Sequence, residues 1–165
     1  MEFEDVHREH VPAVWRYVRS RLPTEVDAED VTSEVFLKAM RSWDRYEPSK
    51  GSVVAWLTGI ARHAVADWWR QHRPEHPGLE QAGVAAGSNP DSDDPESAVL
   101  RRERADQLRR RLRMLTDRER EAVAMRFGAE LSSAEIGDLL GVSPTAARML
   151  VYRAVGKLRV VMGDE

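Results

Sequence analysis

The chain has 165 residues, enough for one compact domain or two small ones, with 42% hydrophobic and 32% charged residues, a balance that suits a soluble, helix-rich protein. It has no cysteine, which excludes a disulfide scaffold, a thiolate metal site and a thiol switch within the chain. The net charge is −3, no apolar run is long enough to span a bilayer, and the acidic start MEFEDVHREHVPAVW lacks a signal peptide's basic flank, so a cytoplasmic location is expected.

The first predicted helix carries Val11, Val14, Val18 and Leu22 at helical spacing. Pro12 is placed near its start, where proline is tolerated or kinks the helix, and Pro23-Thr24 ends it. The second, TEVDAEDVTSEVFLKAMRSW, is expected to turn Val31, Val35 and Leu37/Met40 inward. Asp27, Glu29, Asp30 and Glu34 then lie outside, and acids in a first turn complement the helix dipole. DRYEPSKGS (44–52) reads as a loop from its Pro, Gly and Ser. VVAWLTGIARHAVADWWRQHR places Leu57, Ile60/Ala61, Ala64 and Trp68 on one stripe. No strand-like alternation competes and no internal repeat is visible.

Residues 74–97, PEHPGLEQAGVAAGSNPDSDDPES, hold six acids and no Lys or Arg, and their Pro/Gly/Ser content and lack of period predict a flexible acidic linker. The charge divides around it: 1–73 carries 11 basic and 12 acidic residues, whereas 98–165 carries 14 basic and 10 acidic. The acidity of the chain therefore sits mostly in the linker, and its C-terminal part is basic.

In that basic part Leu108, Leu112 and Leu115 form a stripe. Thr116 with Glu119, and Ser132 with Glu135, are capping boxes that each start a helix. Gly141 ends the second of these helices, Ser143 caps the next, and Pro144 takes its favoured first position. LSSAEIGDLLGVSPTAARMLVYRAVGKLR thus reads as a helix-turn-helix. Ala147, Val151, Ala154 and Leu158 share the inner face and are expected to pack on Ile136, Leu139 and Leu140. Thr145, Met149 and Tyr152 point away, flanked by Arg148, Arg153 and Arg159. Early residues of such a helix meet base edges and later cations meet phosphates, and arginine can grip guanine at two atoms.

LTDREREAVAMRFGAELSSAEIGDLLGVSPTAARMLVYRAVGKLR resembles region 4 of bacterial sigma-70-family factors, and equally the helix-turn-helix of LuxR-type regulators. DAEDVTSEVFLKAMRSW and AWLTGIARHAVADWWRQHR resemble sigma region 2, and the two motifs in this order, with no region 3 between them, resemble an extracytoplasmic-function (ECF) sigma factor. The resemblance implies an all-α chain of two small helical domains, 1–73 and 98–165, joined by the linker. It implies a partner of core RNA polymerase, with contacts to the β′ clamp helices and the β flap. Promoter DNA is the second implied partner and an anti-sigma factor the third. No membrane insertion, catalytic activity, cofactor or metal is expected: the five histidines are scattered, Pro74 separates His72 from His76, and no nucleophile–His–acid set or glycine-rich phosphate loop is present.

By the same resemblance, Asp27, Glu29, Asp30 and Glu34 dock on the polymerase. Arg45, Tyr46, Ser49, Lys50 and Ser52 take up a flipped base of the −10 element, with Trp56, Arg62, His63, Trp69 and Arg70 holding the opening strands. An aromatic ring beside cations suits an unstacked base and its phosphates. Ser143, Thr145, Arg148, Met149, Tyr152 and Arg153 read the −35 element. Trp43 and Trp68 are assigned to the core. The linker is implied to thread into the polymerase cleft. His63 replaces the family's usual Asn and Ser33 its usual Gln, and Met149-Leu150 stand where Ser and Arg are frequent, so unusual promoter preferences are implied. The rival is a LuxR-like regulator binding duplex DNA.

Overall fold

The computed structural model describes residues 1–72 and 94–161, and among them are seven α-helices and no strand. None of these helices is long and apolar enough to cross a membrane. Helix α1, Phe3–Arg21, opens on Glu4 and Asp5 and closes on Arg19 and Arg21, each end carrying the charge its dipole favours. Pro12 lies in its interior rather than near its start. The helix runs through it, and the lost backbone bond is offset by burial of Val6, Val14, Tyr17 and Val18 on the opposite face. Each such apolar side chain contributes about 1.5–3 kcal/mol on removal from water.

Helix α2, Glu25–Arg41, starts at a Thr24 cap whose hydroxyl accepts from the Asp27 amide at 3.1 Å. Its buried face is Ala28, Val31, Thr32, Val35, Phe36 and Ala39. Leu37 and Met40, expected inward, are instead 49% and 53% exposed. The i, i+3, i+4 rows from Ala28 lead through Val31 and Thr32 to Val35, Phe36 and Ala39, so helix geometry overrides side-chain apolarity here. Two 3₁₀ turns, Trp43–Arg45 and Pro48–Lys50, lead into α3, Val53–His72, which buries Leu57, Thr58, Ala61, Ala64, Val65 and Trp68. Helices α1, α2 and α3 pack on one another.

The linker expected over 74–97 lies outside the described residues as far as 93. Its end does not fit the expectation. Asp94 caps and Pro95 begins α4, Pro95–Leu112, a cap-then-proline start hidden within an acidic run. Both predicted capping boxes form, on α5 (Asp117–Val123) and α6 (Ser133–Leu140). Between them α5 widens into a π-helical turn, Ala124–Gly128. Gly141 ends α6 at φ 69°, the left-handed conformation that glycine adopts without a Cβ penalty. A Cβ on Gly137 would sit 2.7 Å from the Val142 carbonyl oxygen, so glycine lets the turn fold back onto α6. Helix α7, Pro144–Val161, then packs on α4, α5 and α6.

Helices α1–α3 and the helices from α5 onward share a core. One buried cluster runs from Val6 and Leu57 through Met125 and Leu131 to Ile136 and Ala147. Helix α1 lies on the π turn and α3 touches α6. A Cβ on Gly128 would stand 3.2 Å from the Tyr17 amide nitrogen, so the two backbones meet closely there and would have to give by a few tenths of an ångström to admit a side chain. Arg16 Nε donates to the Gly128 carbonyl at 3.0 Å. The Leu112–Leu115 stripe forms a smaller second cluster with Ala154.

Candidate nucleic-acid and partner interfaces

Helix α7 is held by its inner face. Ala147 and Ala154 are fully buried, and Val151 and Leu158 half-buried. The opposite face is bare: Thr145, Arg148 and Arg153 are exposed, Met149 is 41% exposed and Tyr152 73%. Neither arginine has an acidic partner among the described residues. Ser143 is tied to the helix start, its hydroxyl accepting from the Ala146 amide at 3.1 Å. The arrangement leaves two uncommitted guanidinium groups beside an aromatic ring on a rigid helix, as groove contact requires.

The loop before α3 brings three rings together. Trp43 stacks on Tyr46, with centroids 5.2 Å apart and planes 9° apart, and Trp56 tilts against both at 5.9 and 5.5 Å. The Tyr46 hydroxyl donates to the Gly51 carbonyl at 3.0 Å, fixing the loop. Ser52 caps α3, accepting from the Ala55 amide at 3.2 Å. Arg45, Ser49 and Lys50 are exposed on the rim, with Lys50 paired to Glu47 at 2.9 Å. The assembly borders a cleft of about 300 Å³. Its far wall is Glu135, Asp138 and Leu139 of α6, and the Ser52 hydroxyl donates to Glu135.

The remaining predicted −10 residues do not join this cleft. Arg62 Nε donates to Glu121 at 2.6 Å and its Nη1 to the Leu139 carbonyl at 2.9 Å, so it clasps the C-terminal half. The hydrogen bond to Glu121, outweighing burial, raises its pKa. His63 and Trp69 border a separate cleft of about 320 Å³ with Tyr17, Arg21 and Glu121. Trp69 Nε1 donates to the Arg21 carbonyl at 3.0 Å. Burial pushes the Tyr17 phenol up to about 12, so it stays neutral there. Arg70 pairs with Asp67. Trp68 is buried as expected, stacked on His72 at 4.2 Å, whereas Trp43 is half-buried at the edge of the core.

On α2 the four predicted acids are not equivalent. Asp27 is half-buried and receives the Thr24 hydroxyl at 2.5 Å, and Glu34 pairs with Lys38 at 2.8 Å. Glu29 and Asp30 are exposed with no hydrogen bond or ion pair among the described residues. Their neighbours Val26, Leu37 and Met40, none of them expected at a site, share the exposed surface, at 67%, 49% and 53%. The signal was available in the row Val26, Asp30, Ser33, Leu37, Met40, whose members follow one another at three or four positions. Carboxylates interleaved with bare aliphatic groups form a surface suited to a basic protein partner.

Two family models match the chain: Sigma-70 region 2 over residues 6–75 and Sigma-70, region 4 over residues 105–158. The region 2 match decides against the LuxR-type rival, which shares only the C-terminal motif. The chain is 35% identical over 164 residues to the RNA polymerase sigma factor CarQ of Myxococcus xanthus, covering 98% of this chain and 90% of that one. It is 32% identical over 164 residues to the ECF RNA polymerase sigma factor BldN of Streptomyces coelicolor, covering 99% of this chain and 61% of that one. Its fold matches that of the sigma factor RpoE, solved in complex with the anti-sigma factor NepR from Bartonella quintana, with a TM-score of 0.71 at 20% identity over 99% of this chain and 98% of that one.

Proposed function

The chain belongs to the ECF branch of the sigma-70 family of RNA polymerase sigma factors, and we propose from that premise that its two halves divide a promoter between them. The half before the linker, 1–73, takes the −10 element, with Arg45, Tyr46, Ser49, Lys50 and Ser52 receiving an unstacked base. Trp56 supports that pocket from α3, and His63, Trp69 and Arg70 meet the strands further along α3. The half after it, 98–165, sets Thr145, Arg148, Met149, Tyr152 and Arg153 into the major groove of the −35 element. The observation that carries this reading is the pairing, in one chain, of a bare groove-sized helix with an aromatic and cationic loop. Duplex recognition needs the first and capture of an opened strand needs the second.

The α2 surface supports docking on core polymerase. Glu29 and Asp30 supply charge, and Val26, Leu37 and Met40 supply the apolar contact that charges alone do not give. Asp27 serves its own cap and contributes less. The chain takes no catalytic step itself; it positions the polymerase. The solved complex of RpoE with NepR supports an anti-sigma factor as a further partner. The test is run-off transcription with purified core polymerase on genomic promoter fragments. Specific transcripts that appear only when the chain is added are expected, and their absence from every fragment would reject the reading.

A further inference from the structure

The two proposed DNA surfaces are not equally available. The −35 face of α7 is bare, whereas the inner side of the −10 loop faces the other half of the chain across a cleft. Arg45, Tyr46, Lys50 and Trp56 line one side of the 300 Å³ cleft, and Glu135 and Asp138 line the other. Two of the three facing residues of α6 are carboxylates, the charge a phosphate backbone would bring. Burial pushes the Glu135 carboxyl up, but hydrogen bonds from Ser52 and Ser132 outweigh it and hold it below the usual carboxylate range. It is therefore ionised at neutral pH, and it holds Ser52, a residue of the proposed base pocket. Arg62 is bound in the same way by Glu121, which is only 15% exposed.

Size makes this packing incompatible with promoter engagement. The −35 and −10 positions lie about 25 nucleotides apart, on the order of 85 Å of duplex at ~3.4 Å per step. A packed chain of this length has a radius of gyration of only ~15 Å. The halves must part before both elements are held. Resting on the proposed function, we infer that Glu135 and Asp138, on the first helix of the helix-turn-helix, are an internal competitor for the promoter strand: the packed chain withholds its −10 loop while leaving its −35 helix bare.

The test uses the full chain without polymerase and a fluorescent mixed-sequence single-stranded 12-mer as the probe. Glu135→Gln with Asp138→Asn keeps the capping box, because glutamine serves at that position, and removes both competing charges. This double variant is expected to bind the single strand on the order of tenfold more tightly than the native chain, with duplex binding changed by less than twofold. Glu4→Gln with Glu9→Gln removes two exposed acids of α1 that do not line the cleft, and controls for net charge. Gly128→Ala is the independent variant: its Cβ pushes against the Tyr17 backbone, so it should enlarge the scattering radius and raise strand affinity while circular dichroism stays native. A gain in the α1 control equal to that of the cleft variant overturns the inference, as does equal strand binding by all the chains, measurable or not. Normal transcription with core polymerase alongside either result confines the failure to this inference, whereas loss of transcription by the native chain would reject the proposed function instead.

Discussion

The starts of α5 and α6 carry the same capping box and differ in where the glutamate's second bond goes. Glu119 accepts from the Thr116 amide at 3.3 Å and from Lys157 Nζ of α7 at 2.7 Å. It is 4% exposed, and both bonds stay inside the C-terminal half. Glu135 accepts from the Ser132 amide at 3.1 Å and from the Ser52 hydroxyl in the N-terminal half. It is only half-buried. A second bond made in the interior is costly to break and fixes α7 against α5. One made at a solvent-lined cleft competes with water and suits a contact that must open. One local motif thus supports a permanent junction and a reversible one, and burial decides which.

Glu119→Ala should be the most damaging substitution. It removes the reciprocal cap and leaves Lys157 without its partner, so we expect a loss of about 2–3 kcal/mol in urea unfolding of the C-terminal helices. Glu119→Gln should retain part of this by preserving the box. A loss below ~1 kcal/mol would put the two glutamates on an equal footing. A next, smaller effect concerns what the junction positions. Under the proposed division, Arg148→Ala should weaken −35 duplex binding by about 1–2 kcal/mol, or lower the salt slope by about one if it holds a phosphate. Thermal stability should not move, because Arg148 is exposed and has no acidic partner among the described residues. Arg120→Ala should do the reverse: that side chain is 8% exposed and held by Asp117 and the Leu112 carbonyl, so its loss lowers stability first. Similar DNA defects in both variants at native stability would remove the distinction between a reading arginine and a structural one.

Most of what governs the fold was legible in the sequence. Caps, the Gly141 stop and the Ala147–Ala154 face follow from local rules, and each stands where the spacing put it. Leu37 and Met40 are apolar but lie off the inner face of the helical wheel, and with Val26 they form the apolar part of the α2 surface that apolarity alone does not reveal. The start of α4 was carried by Asp94-Pro95, but the acidic run around it dominated the reading. The contact between the halves had no legible signal. Its polar links run from Arg16 and Arg62 to the carbonyls of Gly128 and Leu139, and a carbonyl acceptor is the same at every residue. Its charged partners, Glu121, Glu135 and Asp138, look in sequence like any solvated helix face. Of the proposed −10 residues the loop set lies together, while Arg62, expected on the opening strands, is bound to Glu121.

Glu135→Gln offers a weaker test of the same contrast. The box survives and only the charge is lost, so global stability should fall by less than ~1 kcal/mol, well short of the Glu119→Ala effect. A larger loss in urea unfolding would show that the cleft bond, not the interior one, anchors the helix-turn-helix.

Acid should separate the two junctions most finely. Both carboxyls sit below the usual range: burial pushes each up, and it is outweighed at Glu119 by bonds from Lys157 and Thr116 and at Glu135 by bonds from Ser52 and Ser132. A glutamate whose folded pKa lies below its unfolded value of about 4.3 contributes stability that is fully present above that pH. The contribution declines as pH falls below it and is gone beneath the folded pKa. No change is therefore expected from pH 7 to about 5, and both contacts weaken below about 4. The outcomes differ because the junctions differ. Protonating Glu119 strikes the interior of the C-terminal half and should appear as lost helix by circular dichroism. Protonating Glu135 weakens the Ser52 contact and removes one of the two carboxylates that face Arg45 and Lys50 across the cleft, so the halves part and the scattering radius grows while helix content holds. In Glu135→Gln that titration is absent: its radius should already be larger at pH 7 and change less on acidification, with the loss of helix following the native course. An identical radius profile for the two chains would show that the Ser52 contact does not hold the halves together and would leave Arg62–Glu121 and the shared apolar core as what does.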